Sequence, residues 1–401
     1  MVNMLPTPAD NGARLAAILP AGIAAVARGL GVEPPPAVAF ADSDLLPPLR
    51  SFVLVVVDGL GHANLGARAG HAPTLARLPR RRFETVAPST TGAALTTITT
   101  GALPGTHGLI GYRIRHPELG LVTTLKDWAG ITDRAAWQRA DPLFVEAHRI
   151  GARPVVIGRP AHATGGLTEA ILRGAEYHGG QRIEDRFAIA STLLREREPI
   201  VAYLYVDELD RVAHEHGWQG ESWVRRLEAL DAALADLLMT LPGDVGVVVT
   251  ADHGIIDVPP ERQVMLDADP SLIEGVAQIG GEPRFRSLYL EDGVDAAAIA
   301  AKWATAERDR AWVATRDEAV ASGAFGEVAP EVLPRLGDVL IAARKPVAYY
   351  SAEDDPRSRA MIGQHGSFSD DERGIPIVLG GALVGSGFVA AVTATAKSRT
   401  R

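Results

Sequence analysis

Three apolar runs in this chain each end in carboxylates, and that pattern limits the fold more than any other feature. SFVLVVV leads into Asp58, PIVAYLYV into Asp207, Glu208 and Asp210, and VGVVVTA into Asp252 and His253. A short, unbroken, β-branched run bounded by turn residues fits a strand covered on both faces, as in the middle of a parallel sheet. RPVVIG near 155 and IPIVLGG at 375–381 read the same way, and helical patterns such as ESWVRRLEALDAALADLLMTL lie between the runs. Strands alternating with helices imply βαβ units and an α/β fold with a doubly wound, mostly parallel sheet. Ligands of such a sheet bind beyond the carboxyl ends of its strands. The acidic endings therefore converge on one side.

The chain has 401 residues, 47% of them hydrophobic, enough for a large core. Residues 1–45 read as an N-terminal helix and linker, the linker being the loop VEPPPAV. Residues 46–258 and 337–390 read as the catalytic core, which resumes at GDVLIAAR. Between them, 259–336 reads as a small inserted α+β unit containing RFRSLYL, a helix near 295–308, AWVATR and a short helix. Residues 391–401 read as a flexible tail. The run LAAILPAGIAAVA is too short to cross a bilayer and contains Pro20, so an amphipathic helix is expected there. Its flank makes a poor signal peptide. The resulting expectation is a cytoplasmic protein with no membrane partner. A net charge of −9 argues against binding a nucleic-acid polymer. A small anionic substrate stays open, because a bound metal can reverse the local field. Cysteine is absent, which excludes disulfides, zinc–thiolate sites and thiol catalysis.

The segment DELDRVAHEHG places Asp210 and His214 four residues apart, on one face if it is helical. A carboxylate and an imidazole so placed can share a metal ion. His216 is out of phase and reads as a surface residue. Asp252 and His253 are adjacent, and in the loop TADHGII both can reach one site. IGQHGSF adds His365. Asp58, Asp210, His214, Asp252, His253 and His365 are together enough for two sites. Mixed carboxylate and imidazole donors without thiolates suit catalytic zinc. Two such ions can clamp the attacking and leaving oxygens of a displacement at phosphorus.

VAPSTTGAALTTITTG reads as a helix entered after Pro88 and closed by Gly101. Ser89 or Thr90 would serve as its N-cap. Thr91 remains, at the helix entry and within reach of the metal residues. A bound cation would lower the pKa of its hydroxyl, and the helix N-terminus would favour alkoxide and phosphate charge. Thr96, Thr97, Thr99 and Thr100 lie deeper and are expected to pack or to bond the preceding turn.

DG after a buried strand, PSTT, TGALPGTHGLIGY, DELDRVAHEHG, TADHGIIDVP and QHG stand here in the order seen in the alkaline phosphatase superfamily. They most resemble its type I phosphodiesterase/nucleotide pyrophosphatase branch. The resemblance covers about 50–258 and 337–381. It implies two divalent metal ions, with zinc the expected identity. Asp210, His214 and His365 would hold one; Asp58, Asp252, His253 and the Thr91 oxygen would hold the other. It further implies hydrolysis of a phosphodiester or pyrophosphate bond in a small phosphorylated substrate, with a nucleotide among the candidates. The phosphoryl group would pass to Thr91 and then to a zinc-activated water. Two departures affect the substrate. Gly92, Ala93 and Ala94 replace the branch's Phe-Pro-Asn, and Gly111 and Tyr112 stand where a phosphate-binding asparagine is usual. Tyr112 and Arg113, or Arg115, are the residues available to contact substrate instead.

A sulfatase is disfavoured, because Ser89 is followed by Thr-Thr-Gly and there is no cysteine. A cofactor-independent phosphoglycerate mutase would need serine and a larger insertion. A phosphomonoesterase or phosphonate hydrolase would use the same metals and is the main alternative. A zinc-binding protein without turnover is the alternative of another class, and an intact Thr91 with a full ligand set speaks against it.

Overall fold

The computed structural model describes residues 5–6, 9–40 and 42–399. Its central sheet has seven strands: β1 (Ser51–Val57), β2 (Arg80–Glu84), β3 (Arg153–Gly158), β4 (Glu176–Gly179), β5 (Ile200–Val206), β6 (Val245–Thr250) and β7 (Gly374–Gly381). Their order is β2-β7-β6-β1-β5-β3-β4. Strand β1, buried along its whole length, lies between parallel β5 and β6. Val57 is level with Val206, and Val56 with Thr250, so the acidic residues that follow emerge side by side. β7 runs antiparallel to β6 and β2, which makes the sheet mostly parallel.

Helices packed into the core around this sheet include α1 (Ile18–Leu30), α2 (Thr91–Thr100), α3 (Glu208–His216), α4 (Glu221–Thr240) and α5 (Phe388–Arg399). Helix α1 departs from the amphipathic expectation. Ile18 through Ala27 are all buried. A Cβ at Gly22 would stand 2.2 Å from the Phe52 ring, so the helix backbone rests directly on β1. Pro20 falls in the first turn, where its missing N–H removes no helical bond. Ala13–Leu30 is long and apolar enough to cross a membrane, yet 78% of that window is buried inside the protein.

The expected flexible tail is also corrected. Residues 391–399 continue α5, and Ala391, Val392 and Ala396 are buried. Phe388 stacks on Phe52 with ring centroids 6.0 Å apart. Small side chains let this helix sit close to the core, a gain that composition alone does not reveal. Residues 400–401 lie outside the described residues.

A second, antiparallel sheet joins Val276–Glu282, Phe285–Leu290, Val339–Ala343 and Ala311–Thr315, in that order. It has its own core, including Leu288, Trp303, Val313, Ile341 and Tyr349. GDVLIAAR is therefore not where the main sheet resumes. Its strand is fully buried between two partners in the smaller sheet, an environment that gives the same apolar run as a central parallel strand. The two sheets are tied by Arg284 and Glu372, both fully buried and paired at 2.8 and 2.6 Å.

Candidate active site

Asp58 leaves β1 and turns at Gly59, whose φ of +71° favours glycine. A Cβ there would lie 3.0 Å from Asp210, so the bare backbone is what lets Asp210 approach Asp58. Asp210 sits in the first turn of α3, and His214 follows one turn later with Nε2 3.0 Å from Asp210 Oδ2. His365 Nε2 approaches the other Asp210 oxygen at 3.9 Å. Beyond β6, His253 Nε2 lies 3.3 Å from Asp58 Oδ1 and 3.4 Å from Asp252 Oδ2. The rings of His253 and His365 are stacked, with centroids 3.6 Å apart.

Two groups of donor atoms are each mutually within 4.8 Å: Asp210, His214 and His365, and Asp58, Asp210 and His253. Asp210 belongs to both groups, whereas the resemblance assigns it to one site. Asp252 joins the second group through His253, while its other oxygen accepts the N–H of Gly59 at 3.2 Å. Among the described residues, buried Asp58 Oδ1, Asp210 Oδ1 and Asp252 Oδ2 have no hydrogen-bond partner. Three orphaned carboxylate oxygens facing imidazole nitrogens fit divalent cations, since a buried carboxylate without partner or cation is costly.

All three imidazoles are oriented alike. Nδ1 of His214 bonds Gly363 O at 2.7 Å, Nδ1 of His253 bonds Gly254 O at 3.1 Å, and Nδ1 of His365 bonds Ser89 O at 2.9 Å. A carbonyl only accepts, so each Nδ1 carries the proton and each Nε2 offers a lone pair to the cluster. Burial first, and His253 next, push His365 well below its ordinary pKa, which keeps it in the neutral, ligating form. Burial, with Asp252 and Asp210 as neighbours, pushes Asp58 well above the usual carboxylate range, and burial also raises Asp252. Burial opposes ionisation of Asp210 too, but the adjoining His214 outweighs it and holds that carboxyl low.

Thr91 opens α2, and its Oγ1 lies 3.1 Å from His253 Nε2. Thr90 occupies the N-cap position but makes no side-chain cap bond, and its buried hydroxyl has no partner among the described residues. The capping role expected of Ser89 or Thr90 is thus not filled by a side chain. The first N–H groups of α2 stay free for an anion. Thr96, Thr99 and Thr100 bond carbonyls one turn earlier, and Thr97 bonds His107.

Tyr112 and Arg113 enter a hairpin of Arg113–His116 and Gly120–Thr123. Thr124 ties its base, donating to Tyr112 O at 2.8 Å and to Gly111 O at 3.0 Å. A Cβ on Gly92 would stand 2.6 Å from Thr124 Oγ1, so the hairpin packs beside the residue after Thr91. Neither Tyr112 nor Arg113 is hydrogen-bonded to the six Asp and His residues, among the described residues. Arg113 forms no ion pair or side-chain hydrogen bond among them. Arg115 instead lies over the Tyr289 ring at 4.1 Å.

Tyr205 adjoins the carboxylate cluster and was missed from the sequence. Its hydroxyl donates to Asp58 Oδ2. Its signal was faint: a tyrosine one residue from the end of an apolar strand. Asp207 and Glu208 are spent elsewhere, Asp207 on Arg159 at 3.0 Å and on His162 at 3.3 Å, Glu208 on buried Arg186. His216 is half exposed and outside the cluster.

An open, mostly parallel α/β sheet with a shared Asp/His cluster and a threonine at a helix entry defines an alkaline-phosphatase-like protein. The chain belongs to the type I phosphodiesterase/nucleotide pyrophosphatase family, whose sequence profile matches residues 52–368. It is 22% identical over 218 residues to human ectonucleotide pyrophosphatase/phosphodiesterase family member 1. That match covers 51% of this chain but only 23% of the human protein. Phosphonoacetate hydrolase from Sinorhizobium meliloti, in complex with phosphonoformate, superposes with a TM-score of 0.65 at 22% identity, covering 87% of this chain and 97% of that one. Murine ectonucleotide pyrophosphatase/phosphodiesterase 5 gives 0.64 at 18% identity, covering 82% and 87%.

Proposed function

We propose that this chain hydrolyses a phosphodiester or pyrophosphate bond in a small phosphorylated substrate, through a covalent intermediate on Thr91 beside two zinc ions. The observation that carries this reading is the common orientation of His214, His253 and His365. Each has Nδ1 committed to a carbonyl and Nε2 turned toward unpaired carboxylate oxygens, and one of them adjoins the Thr91 hydroxyl. Bound cations would stabilise the attacking and leaving oxygens and make a hydroxyl or water acidic enough to react. The chain's own part is positional. Thr91 presents Oγ1 for bond formation to phosphorus as the ester oxygen departs, and the uncapped N–H groups of α2 meet the phosphate oxygens. Water then cleaves the phosphothreonine.

A diester carries one negative charge, which two cations and a helix N-terminus can balance. A monoester carries nearly two at neutral pH and calls for a further cationic clamp. Arg113, without an ion-pair partner among the described residues and carried by the hairpin whose base at Thr124 packs beside Gly92, favours a second reading as a monoesterase or phosphonate hydrolase. The test is kcat/KM for bis(p-nitrophenyl) phosphate, p-nitrophenyl phosphate and a phosphonate ester, with and without chelator. We expect the diester to lead and chelator to abolish turnover. A preference for the monoester or phosphonate that disappears in Arg113→Ala would replace the first reading with the second.

A further inference from the structure

Ser89 is fully buried, and all of its polar atoms meet three consecutive residues of the His365 loop. Its N–H donates to Gly366 O at 3.2 Å. Its hydroxyl donates to Ser367 O at 2.8 Å and accepts the Gly366 N–H at 3.1 Å. Its carbonyl accepts from His365 Nδ1 at 2.9 Å. Ser89 precedes Thr91 by two residues, so the segment that carries the nucleophile is also the one that sets the tautomer and heading of His365.

The far side of the same loop is fixed independently. Ser367 N–H donates to Glu372 at 3.0 Å, Ser367 Oγ donates to Ala343 O at 2.6 Å, and Glu372 is held by Arg284. The loop therefore has one flank anchored on the small sheet, and among the described residues its hydrogen bonds to the segment entering α2 are made by Ser89. We infer that Ser89 is a positioning residue, which registers the Thr91 hydroxyl against the metal held by Asp210, His214 and His365. This rests on the reading that His365 is a metal ligand. The side chain matters because one hydroxyl donates and accepts at once. Alanine forfeits both bonds while leaving the two made by the Ser89 backbone.

The test compares wild type, Ser89→Ala and Thr100→Ala. Thr100 is a matched control, whose buried hydroxyl bonds, among the described residues, Thr96 O and the Ala102 N–H. Zinc affinity of each site is measured by competition with a chromophoric chelator, alongside thermal unfolding and diester kinetics. In Ser89→Ala we expect one site weakened about 10- to 100-fold, the other unchanged, and kcat reduced at limiting zinc with KM little altered. Thr100→Ala should lower the unfolding temperature and leave both zinc affinities at their wild-type values. Equal zinc affinities in wild type and Ser89→Ala, or equal losses in both variants, would overturn the proposal. If wild type bound no zinc, the underlying reading would fail instead. Should the alanine variant not fold, nitrogen-15 NMR of the wild-type histidines decides. A proton on His365 Nδ1 supports the clasp, and a proton on Nε2 with Nδ1 bare overturns it.

Discussion

The hydroxyl of Thr91 stands 3.1 Å from Nε2 of His253, a nitrogen that also faces Asp58 and Asp252 at 3.3 and 3.4 Å. The proposed nucleophile and the proposed ligand thus share one small volume, although 162 residues separate them in the chain. Thr91→Ala should remove diester turnover and leave zinc content and unfolding temperature close to wild type. Thr90→Ala should be nearly neutral in both, because the Thr90 hydroxyl is buried without a partner among the described residues and caps nothing. Activity retained by the Thr91 variant and lost by the Thr90 variant would move the nucleophile by one position.

Asp210 contributes to both donor groups, whereas His214 contributes to one. Asp210→Asn should therefore weaken both metal sites, and His214→Ala only one. Elemental analysis of protein purified without chelator should give about two equivalents of metal for wild type. For His214→Ala the expectation is about one. Selective loss of a single site in Asp210→Asn would contradict the bridging position of that carboxylate.

Tyr205 donates its hydroxyl to Asp58. Tyr205→Phe keeps the ring and removes only that bond. Outer groups of this kind typically change metal affinity or activity by about 10- to 100-fold. We expect a loss in that range at the site served by Asp58, with the Asp210–His214–His365 site unaffected. Unchanged zinc binding and unchanged kcat would reduce Tyr205 to a packing residue.

His107, from the motif TGALPGTHGLIGY, is a buried structural residue. Its Nδ1 accepts the Leu109 N–H at 3.1 Å and its Nε2 meets Thr97 Oγ1 at 3.0 Å. Burial is the main cause of its pKa falling to about 3 from an ordinary 6.5. The folded protein keeps this ring neutral, so the unfolded chain binds the extra proton. The contribution is whole above pH 6.5 and is lost as pH falls toward 3, on the order of 5 kcal/mol across the window. Urea unfolding at pH 7 and pH 4 should show a smaller acid loss for His107→Gln than for wild type. Equal losses would mean that other groups govern acid sensitivity.

The amino-acid sequence by itself determined the parts of this protein that depend on neighbouring residues. Apolar β-branched runs fixed β1, β5 and β6, since strand burial writes itself into consecutive positions. The helical spacing of Asp210 and His214, and the glycine that closes α2 at position 101, were legible for the same reason. Only the tertiary structure decided what those parts do to each other. A fully apolar pentapeptide such as VLIAA suits either sheet, and competition among partners placed it in the smaller one. Tyr205 and Asp58 are 147 residues apart, and His365 and Ser89 are 276 apart. A hydroxyl or a carbonyl has no periodicity that announces such a partner. Its bond exists only after strand register and loop closure have brought the two ends within hydrogen-bonding distance.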